Sequence, residues 1–497
     1  MRESFTASSI VMGAAVLLVP PALLGGGQLA WSLLTAPPRA GAERPAPPAA
    51  PPAAPAPAQP VSAAPTSAGP VTVSARLDRS AVYTSGDGLI NVELSITGAA
   101  REGEAHRVPT DLVVVLDRSG SMAGDPIENA RAATRTLIEG LSPEDRFALV
   151  IYDDQAELAV PLGLATPANQ SLWLRTLSRV KDRGATNISD GIDLSLSVLR
   201  ERSPGRAQRI VLISDGQPNA GDSSAEGLAA RARAAAAHES PLTSVGVGLG
   251  FNETLMRDLA DAGTGNYYYV QQTEGLAQIF AAEFEAASAT VATGLEVLTH
   301  PGPGVQLVSA AGYPLDTLDA DASFRIGSLQ ASQTRKLWLT YRVDPQVAGA
   351  SASVGEISVR FQADGQPLAA KVGEPLGVSV VHDQAVALAS IDKDVWEAGV
   401  VTERYNRMRD EVADAVRRKD RAAADAALRQ YRAQTAAENK AVQSATVAHN
   451  LETLGYLEAS VTDSFTGSAY EQASKQNAYS KSESSASYFQ RRSGQMK

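Results

Sequence analysis

The 497-residue chain contains no cysteine. That excludes a disulfide framework, a thiolate nucleophile, a Cys-ligated zinc or iron–sulfur centre, and a lipid-modified N-terminal cysteine. Histidine is scarce. The five residues, His106, His238, His300, His382 and His449, are scattered and form no HExxH or i, i+4 pair, which argues against a zinc hydrolase. No Gly-rich phosphate loop ending in Lys is present, and no G-x-S-x-G elbow. Positive charge is in deficit: 44 Lys and Arg face 55 Asp and Glu, for a net charge of −11. A general nucleic-acid binder would carry a basic domain instead, so no nucleic-acid partner is expected.

What is present divides the chain into blocks. From Ser4 to Pro38 there is no charged residue. As a helix, Ile10 to Leu34 would reach roughly 37 Å, enough for a bilayer core of about 30 Å. Pro20-Pro21 and Gly25–Gly27 would kink it. Residues 1–35 therefore read as a membrane anchor or a signal segment. Their length favours a single-span anchor over a cleaved secretory signal with its apolar core at Ile10–Val19. Either would place the remainder outside the cytoplasm, facing the periplasm or the exterior, membrane-anchored or secreted. Residues 36–70 hold 12 of the 28 prolines and read as a disordered or polyproline spacer. Fully extended, such a spacer spans about 100 Å.

From Asp111 the pattern alternates. DLVVVLD (111–117) is a continuous apolar run, as in a strand buried on both faces. GDPIENARAATRTLIEG follows, with Asp125 as a natural N-cap, Pro126 at the first helical position, Glu128 completing a capping box and Gly140 closing the helix. Strands are expected at 146–154, 156–163, 209–216, 242–250 and 266–270, and helices at 168–181, 188–201, 224–238, 252–262 and 273–288. This is an α/β fold class: a doubly wound, mostly parallel sheet over 109–290, with AELAVPLG (156–163) as an antiparallel exception. Ligands of such sheets bind beyond the carboxyl ends of the strands.

Asp117 and Asp215 both end strong strands, and Thr186 lies in a loop just before a helix. With Ser119 and Ser121 they offer only oxygen donors, which suit Mg²⁺, Mn²⁺ or Ca²⁺ rather than Zn²⁺ or Cu²⁺. Two carboxylates and three neutral hydroxyls are a low-charge set for a divalent cation, with a coordination position open to an incoming carboxylate. Tyr267, Tyr268 and Tyr269 read as a half-buried strand, and Met122 as packing beneath the loop. Asp145-Arg146 and Asp153-Asp154 read as loop charges and strand-end caps.

DRSGS (117–121), Thr186 within RGATN and Asp215 within SDG together resemble the metal-ion-dependent adhesion site of von Willebrand factor A domains. The resemblance implies direct metal contacts from Ser119 and Ser121. It implies direct or water-mediated contacts from Thr186, Asp117 and Asp215, and none from Arg118. It also implies a Rossmann-like fold, a bound Mg²⁺ (with Mn²⁺ or Ca²⁺ as substitutes), and a protein partner that supplies an Asp or Glu carboxylate. Ligand-linked movement of the last helix, 273–288, is a further implication. The pattern also shares its strand-then-turn form with hhhhDxD phosphatases, but Ser119 replaces their second Asp, so no catalytic residue is expected.

Residues 71–100 read as strands that join those of 291–381 in one β-sandwich, making the α/β domain an insertion. Residues 382–460 show helical spacing, with a break near Lys419-Asp420. The Ser-rich residues 461–497 read as disordered. The whole layout resembles bacterial surface or periplasmic von Willebrand factor A proteins. The sandwich is loosely similar to inter-alpha-trypsin inhibitor heavy chains and calcium-activated chloride-channel regulators. The expected function is a non-enzymatic, cation-dependent adhesion module. The alternative is a scaffold of a membrane or envelope complex in which the metal is structural.

Overall fold

Among the described residues four strands precede the α/β domain, and the third and fourth of them pair with strands that follow it in sequence. They are β1 (Ser62–Ala68), β2 (Val71–Leu77), β3 (Ala81–Tyr83) and β4 (Leu89–Gly98). The computed structural model describes residues 62–100, 108–201, 205–248, 251–270, 290–348, 351–363 and 365–493. The expected anchor at 1–35 and the expected helix at 273–288 lie outside those residues. The chain divides into Met1–Ala54 and Pro55–Lys497, and all the described residues belong to the second unit. Among the described residues, no helix is long and apolar enough to cross a membrane.

The α/β domain comprises β5 (Thr110–Asp117), α1 (Asp125–Glu139), β6 (Arg146–Tyr152), β7 (Ala156–Leu164), α2 (Pro167–Leu177) and α3 (Ile188–Val198), then β8 (Ala207–Ser214), α4 (Ala225–Ala237), β9 (Leu242–Val247), α5 (Glu253–Ala262) and β10 (Thr264–Val270). Its sheet runs β10-β9-β8-β5-β6-β7. All neighbours are parallel except β6 and β7, which pair antiparallel. Every residue of β5 is buried. Leu112, Val114 and Leu116 point into the core beneath α1 and α2, while Val113 and Val115 point into the core beneath α3, α4 and α5. The uninterrupted apolar run is thus two alternating faces, both covered. Helix starts follow local chemistry: Asn187, Ser224 and Asn252 cap α3, α4 and α5 with side-chain oxygens. The first helix departs from the expected capping box. Gly124, at φ +82°, is its N-cap and Asp125 is already helical, because the turn after Ser121 places a positive-φ residue there.

The later strands are β11 (Thr290–His300), β12 (Val305–Ala310), β13 (Asp316–Leu318), β14 (Asp321–Gln330), β15 (Thr334–Val343), β16 (Ser351–Ser353), β17 (Glu356–Ala363), β18 (Gln366–Lys371) and β19 (Gly377–Val381). One sheet runs β1-β2-β4-β15-β12, a second β13-β14-β11-β17-β18, and a short third β16-β19-β3. β4 pairs antiparallel with β15, Leu94 opposite Leu337 and Ile90 opposite Tyr341. The α/β domain therefore enters between β4 and β11 of a sandwich that closes over one shared core, including Val73, Leu94, Val297, Phe324, Leu339 and Val359.

The proline-rich block does not stay unstructured up to residue 70: β1 begins at Ser62. It is an edge strand, and its register slips between Ala63 and Thr66, so Pro65 sits where no ladder donor is required.

The helical region holds α6 (Gln384–Ala389), α7 (Lys393–Gly399), α8 (Tyr405–Arg417), α9 (Arg421–Val442), α10 (Ala445–Ser464) and α11 (Ala469–Ser493). Trp396, Met408, Val412, Leu428, Val447 and Leu454 form its core. Lys419 takes φ +61° and Asp420 caps α9, which makes the break between α8 and α9. Residues 469–493 are helical, where the sequence suggested disorder to the C-terminus. The stripe that α11 buries is small and polar, Ser480, Ser484 and Ser487 beside Lys481 and Tyr488, so hydropathy gives no sign of it.

The helical region grips the sandwich through ions. Asp78, 1% exposed, accepts from the backbone N–H (2.9 Å) and Nδ2 (2.8 Å) of Asn91 and from Arg404 (3.4 Å). Glu438 accepts from Arg79 (3.0 Å), Arg404 (2.6 Å) and Trp396 Nε1 (2.6 Å).

Candidate metal centre

β5 and β8 are neighbours in register, so Asp117, the last residue of β5, and Asp215, just after β8, emerge side by side at the carboxyl end of the sheet. Asp117 is fully buried. Its Oδ1 accepts the Ser119 N–H at 2.8 Å, which folds the turn back on the strand. Its Oδ2 accepts from Ser214 Oγ at 2.6 Å and from Tyr152 Oη at 3.1 Å. The Ser119 and Ser121 hydroxyls lie 3.1 Å apart, Ser119 buried and Ser121 exposed.

The second loop is tied to the first by its backbone. Gly120 N–H donates to Gly184 C=O at 3.0 Å, and Arg183 N–H to Arg118 C=O at 2.6 Å. Thr186, 1% exposed, is tied in turn to the third loop: its N–H donates to Asn219 Oδ1 at 2.7 Å, and its C=O accepts the N–H groups of Asn219 (3.1 Å) and Ala220 (3.2 Å). Asp215 is held from the other side by the start of α5, its C=O accepting Asn252 N–H at 3.1 Å. The three sequence-distant segments carrying Asp117, Ser119, Ser121, Thr186 and Asp215 are thus stitched together by main-chain bonds.

Burial raises the Asp117 pKa to about 6, against the bonds from Ser214 and Ser119, and the Asp215 carboxylate adds to the rise. Asp215, 6% exposed, keeps Oδ1 buried with no hydrogen-bond partner among the described residues. An unpaired buried carboxylate oxygen is costly, and a cation would satisfy it and relieve the Asp117–Asp215 repulsion. The residues present therefore fit a divalent cation. Among the described residues no group of three or more His, Cys, Asp or Glu is arranged for a metal, so these donors would act through hydroxyls as well as carboxylates.

Sequence reasoning passed over the supports. Ser214 and Tyr152 position Asp117, and Asn219 positions Thr186. The available signal was a polar residue closing each otherwise apolar strand, Ser214 in β8 and Tyr152 in β6. Asp153, expected as a loop charge or strand-end cap, does more. It is 5% exposed and accepts from Arg118 Nε (2.8 Å) and Arg183 Nε (2.7 Å), bracing the first two loops against each other. Burial pushes its carboxyl up, but the Arg183 and Arg118 guanidiniums hold it below the usual range. Tyr267 and Tyr268 are buried, 0% and 5% exposed, rather than half-buried, so neither offers a contact surface.

A model of the von Willebrand factor type A domain matches residues 111–282. This chain carries a von Willebrand factor type A domain. The chain is 24% identical to an uncharacterized protein of Synechocystis sp. over 324 residues, covering 63% of this chain and 76% of that one. It is 31% identical to the human inter-alpha-trypsin inhibitor heavy chain H3 over 160 residues, 31% of this chain and 18% of that one. The chain therefore spans less than a fifth of that heavy chain. A solved structure, the von Willebrand factor type A protein of Catenulispora acidiphila, superimposes with a TM-score of 0.59 at 15% identity, over 84% of this chain and 96% of that one. The shared fold thus extends well beyond the von Willebrand factor type A domain alone.

Proposed function

We infer that this von Willebrand factor type A domain is a non-enzymatic, cation-dependent protein-binding module. Asp117, Ser119, Ser121, Thr186 and Asp215 would hold one divalent cation, with Mg²⁺ the best match to an all-oxygen set and Mn²⁺ or Ca²⁺ as substitutes. The cation would supply an electrophilic centre for a carboxylate. The protein's own part is to fix the donors: Tyr152 and Ser214 hold Asp117, Asn219 holds Thr186, and Asn252 holds the Asp215 peptide. The observation that carries the reading is the unpartnered, buried Asp215 Oδ1 in a pre-stitched set of oxygen donors.

The partner surface would present an Asp or Glu, which serves as ligand and counter-charge together. The uncharged Ile10–Leu34 stretch supports display outside the cytoplasm, at a membrane or after export. Capture from solubilised envelope on the immobilised chain tests this reading. A partner should be retained in Mg²⁺, released by EDTA, and absent from the Asp117→Ala variant. Retention unaffected by EDTA would overturn it.

A further inference from the structure

The C-terminal helix α11 lies across α5 and β10 of the von Willebrand factor type A domain, and its contacts converge on the segment that fixes Asp215. Lys481 is 5% exposed. Its Nζ donates to the Phe251 C=O at 2.6 Å and stands 3.8 Å from the centroid of the Phe251 ring. An ammonium is costly to bury, and these contacts offset part of that cost. Phe251 is itself 3% exposed. It packs 5.1 Å from the Tyr269 ring and so close over Gly246 that a Cβ there would come within 2.5 Å of it. The next residue, Asn252, caps α5 with its side chain and donates its N–H to the Asp215 C=O at 3.1 Å. The carbonyl that Lys481 grips and the N–H that grips Asp215 are therefore the two ends of one peptide group.

The rest of the interface holds α5 along its length. Arg417 of α8 reaches Glu253 (3.2 Å) and Thr254 Oγ1 (2.6 Å) at its start. Arg257 reaches Ser484 (3.5 Å) in its middle, and Tyr488 Oη donates to Asp261 (3.1 Å) near its end. Tyr488 also meets the Tyr267 ring edge-on at 5.7 Å. Otherwise α11 buries Ser480, Lys481, Ser484 and Ser487 here, so around the Tyr488–Tyr267 contact the interface is made of polar side chains and directed bonds.

We propose that Lys481 is a positioning residue for the cation site, through which α11 acts as a latch that holds the Asp215 corner in its cation-competent arrangement. The proposal rests on the reading of the metal centre given above. The latched state binds the cation more tightly, and by linkage the bound cation tightens the latch by the same factor.

The test is titration of Mn²⁺ into the intact chain by calorimetry, for the wild type, Lys481→Met, Lys481→Gln and Tyr488→Phe. Lys481→Met keeps the packing stem and removes the donor, and should raise the Mn²⁺ Kd three-fold or more. Lys481→Gln keeps an N–H for the Phe251 carbonyl, and should restore at least half of that loss on a logarithmic scale. Tyr488→Phe loosens the far end of α5 only, and should lower Tm while leaving Kd within two-fold of wild type. A Lys481→Met Kd raised less than three-fold overturns the proposal. So does a Tyr488→Phe Kd that rises as much as that of Lys481→Met, since the helix would then act only through stability. A wild type that binds no Mn²⁺ overturns the metal-centre reading itself, and this coupling falls with it.

Discussion

Glu438 should be worth more to this fold than any exposed ion pair, and its contribution should vanish in acid. Burial alone would raise its carboxyl. The Arg79 and Arg404 guanidiniums and the Trp396 N–H more than offset that, and hold its pKa down at about 2. Against an unfolded value near 4.5, the shift of roughly 2.5 units corresponds to about 3 kcal/mol of stability at neutral pH. The unfolded chain binds more protons than the folded one between these values. The contribution is therefore complete above about pH 4.5 and is lost as pH falls toward 2. Glu438→Gln is the perturbation. It leaves Arg79 and Arg404, whose side chains are each 11% exposed, with Asp78 as their remaining shared acid. Urea unfolding followed by far-UV circular dichroism should show the variant less stable by about 3 kcal/mol at pH 7, and by under about 1 kcal/mol at pH 2.5. A difference that does not change with pH, or one under about 1 kcal/mol at pH 7, would refute the reasoning.

Three further outcomes are expected. Gly184→Ala should cost about 1–3 kcal/mol, read as a fall in Tm, because Gly184 sits at φ +73° and a Cβ would lie 2.5 Å from Asp154 Oδ2. Cation affinity should fall as pH drops through about 6, where the proton competes for the buried Asp117 carboxylate, so the Mg²⁺ Kd at pH 5.5 should exceed that at pH 7.5. Leu339→Ala removes a fully buried side chain from the sandwich core, and should cost about 2–5 kcal/mol in urea unfolding.

The α/β domain was legible because its signals are local and strong. β5 and β8 are apolar runs too continuous for anything but central strands, and Ser224 and Asn252 announce their helices. The oxygen donors were legible for a related reason: Asp117 and Asp215 are the first charges after those runs. What escaped depends on neighbours distant in sequence. β1 is an edge strand that tolerates Pro65, so composition read it as spacer. α11 buries serines, and no hydropathy pattern marks a helix whose contact stripe is made of hydroxyls. The Gly124 cap arose because the turn after Ser121 places a positive-φ residue before the helix starts. Asp153 is ordinary in sequence, and its role exists only because Arg118 and Arg183, 65 residues apart, meet across it.

Calorimetric titration of Mg²⁺ into the intact chain, beside the Ser119→Ala/Ser121→Ala double variant, tests the central claim most directly. One saturable site is expected in the wild type, abolished in a variant whose circular dichroism is unchanged. Absence of saturable binding in the wild type, or equal binding in the variant, would contradict it.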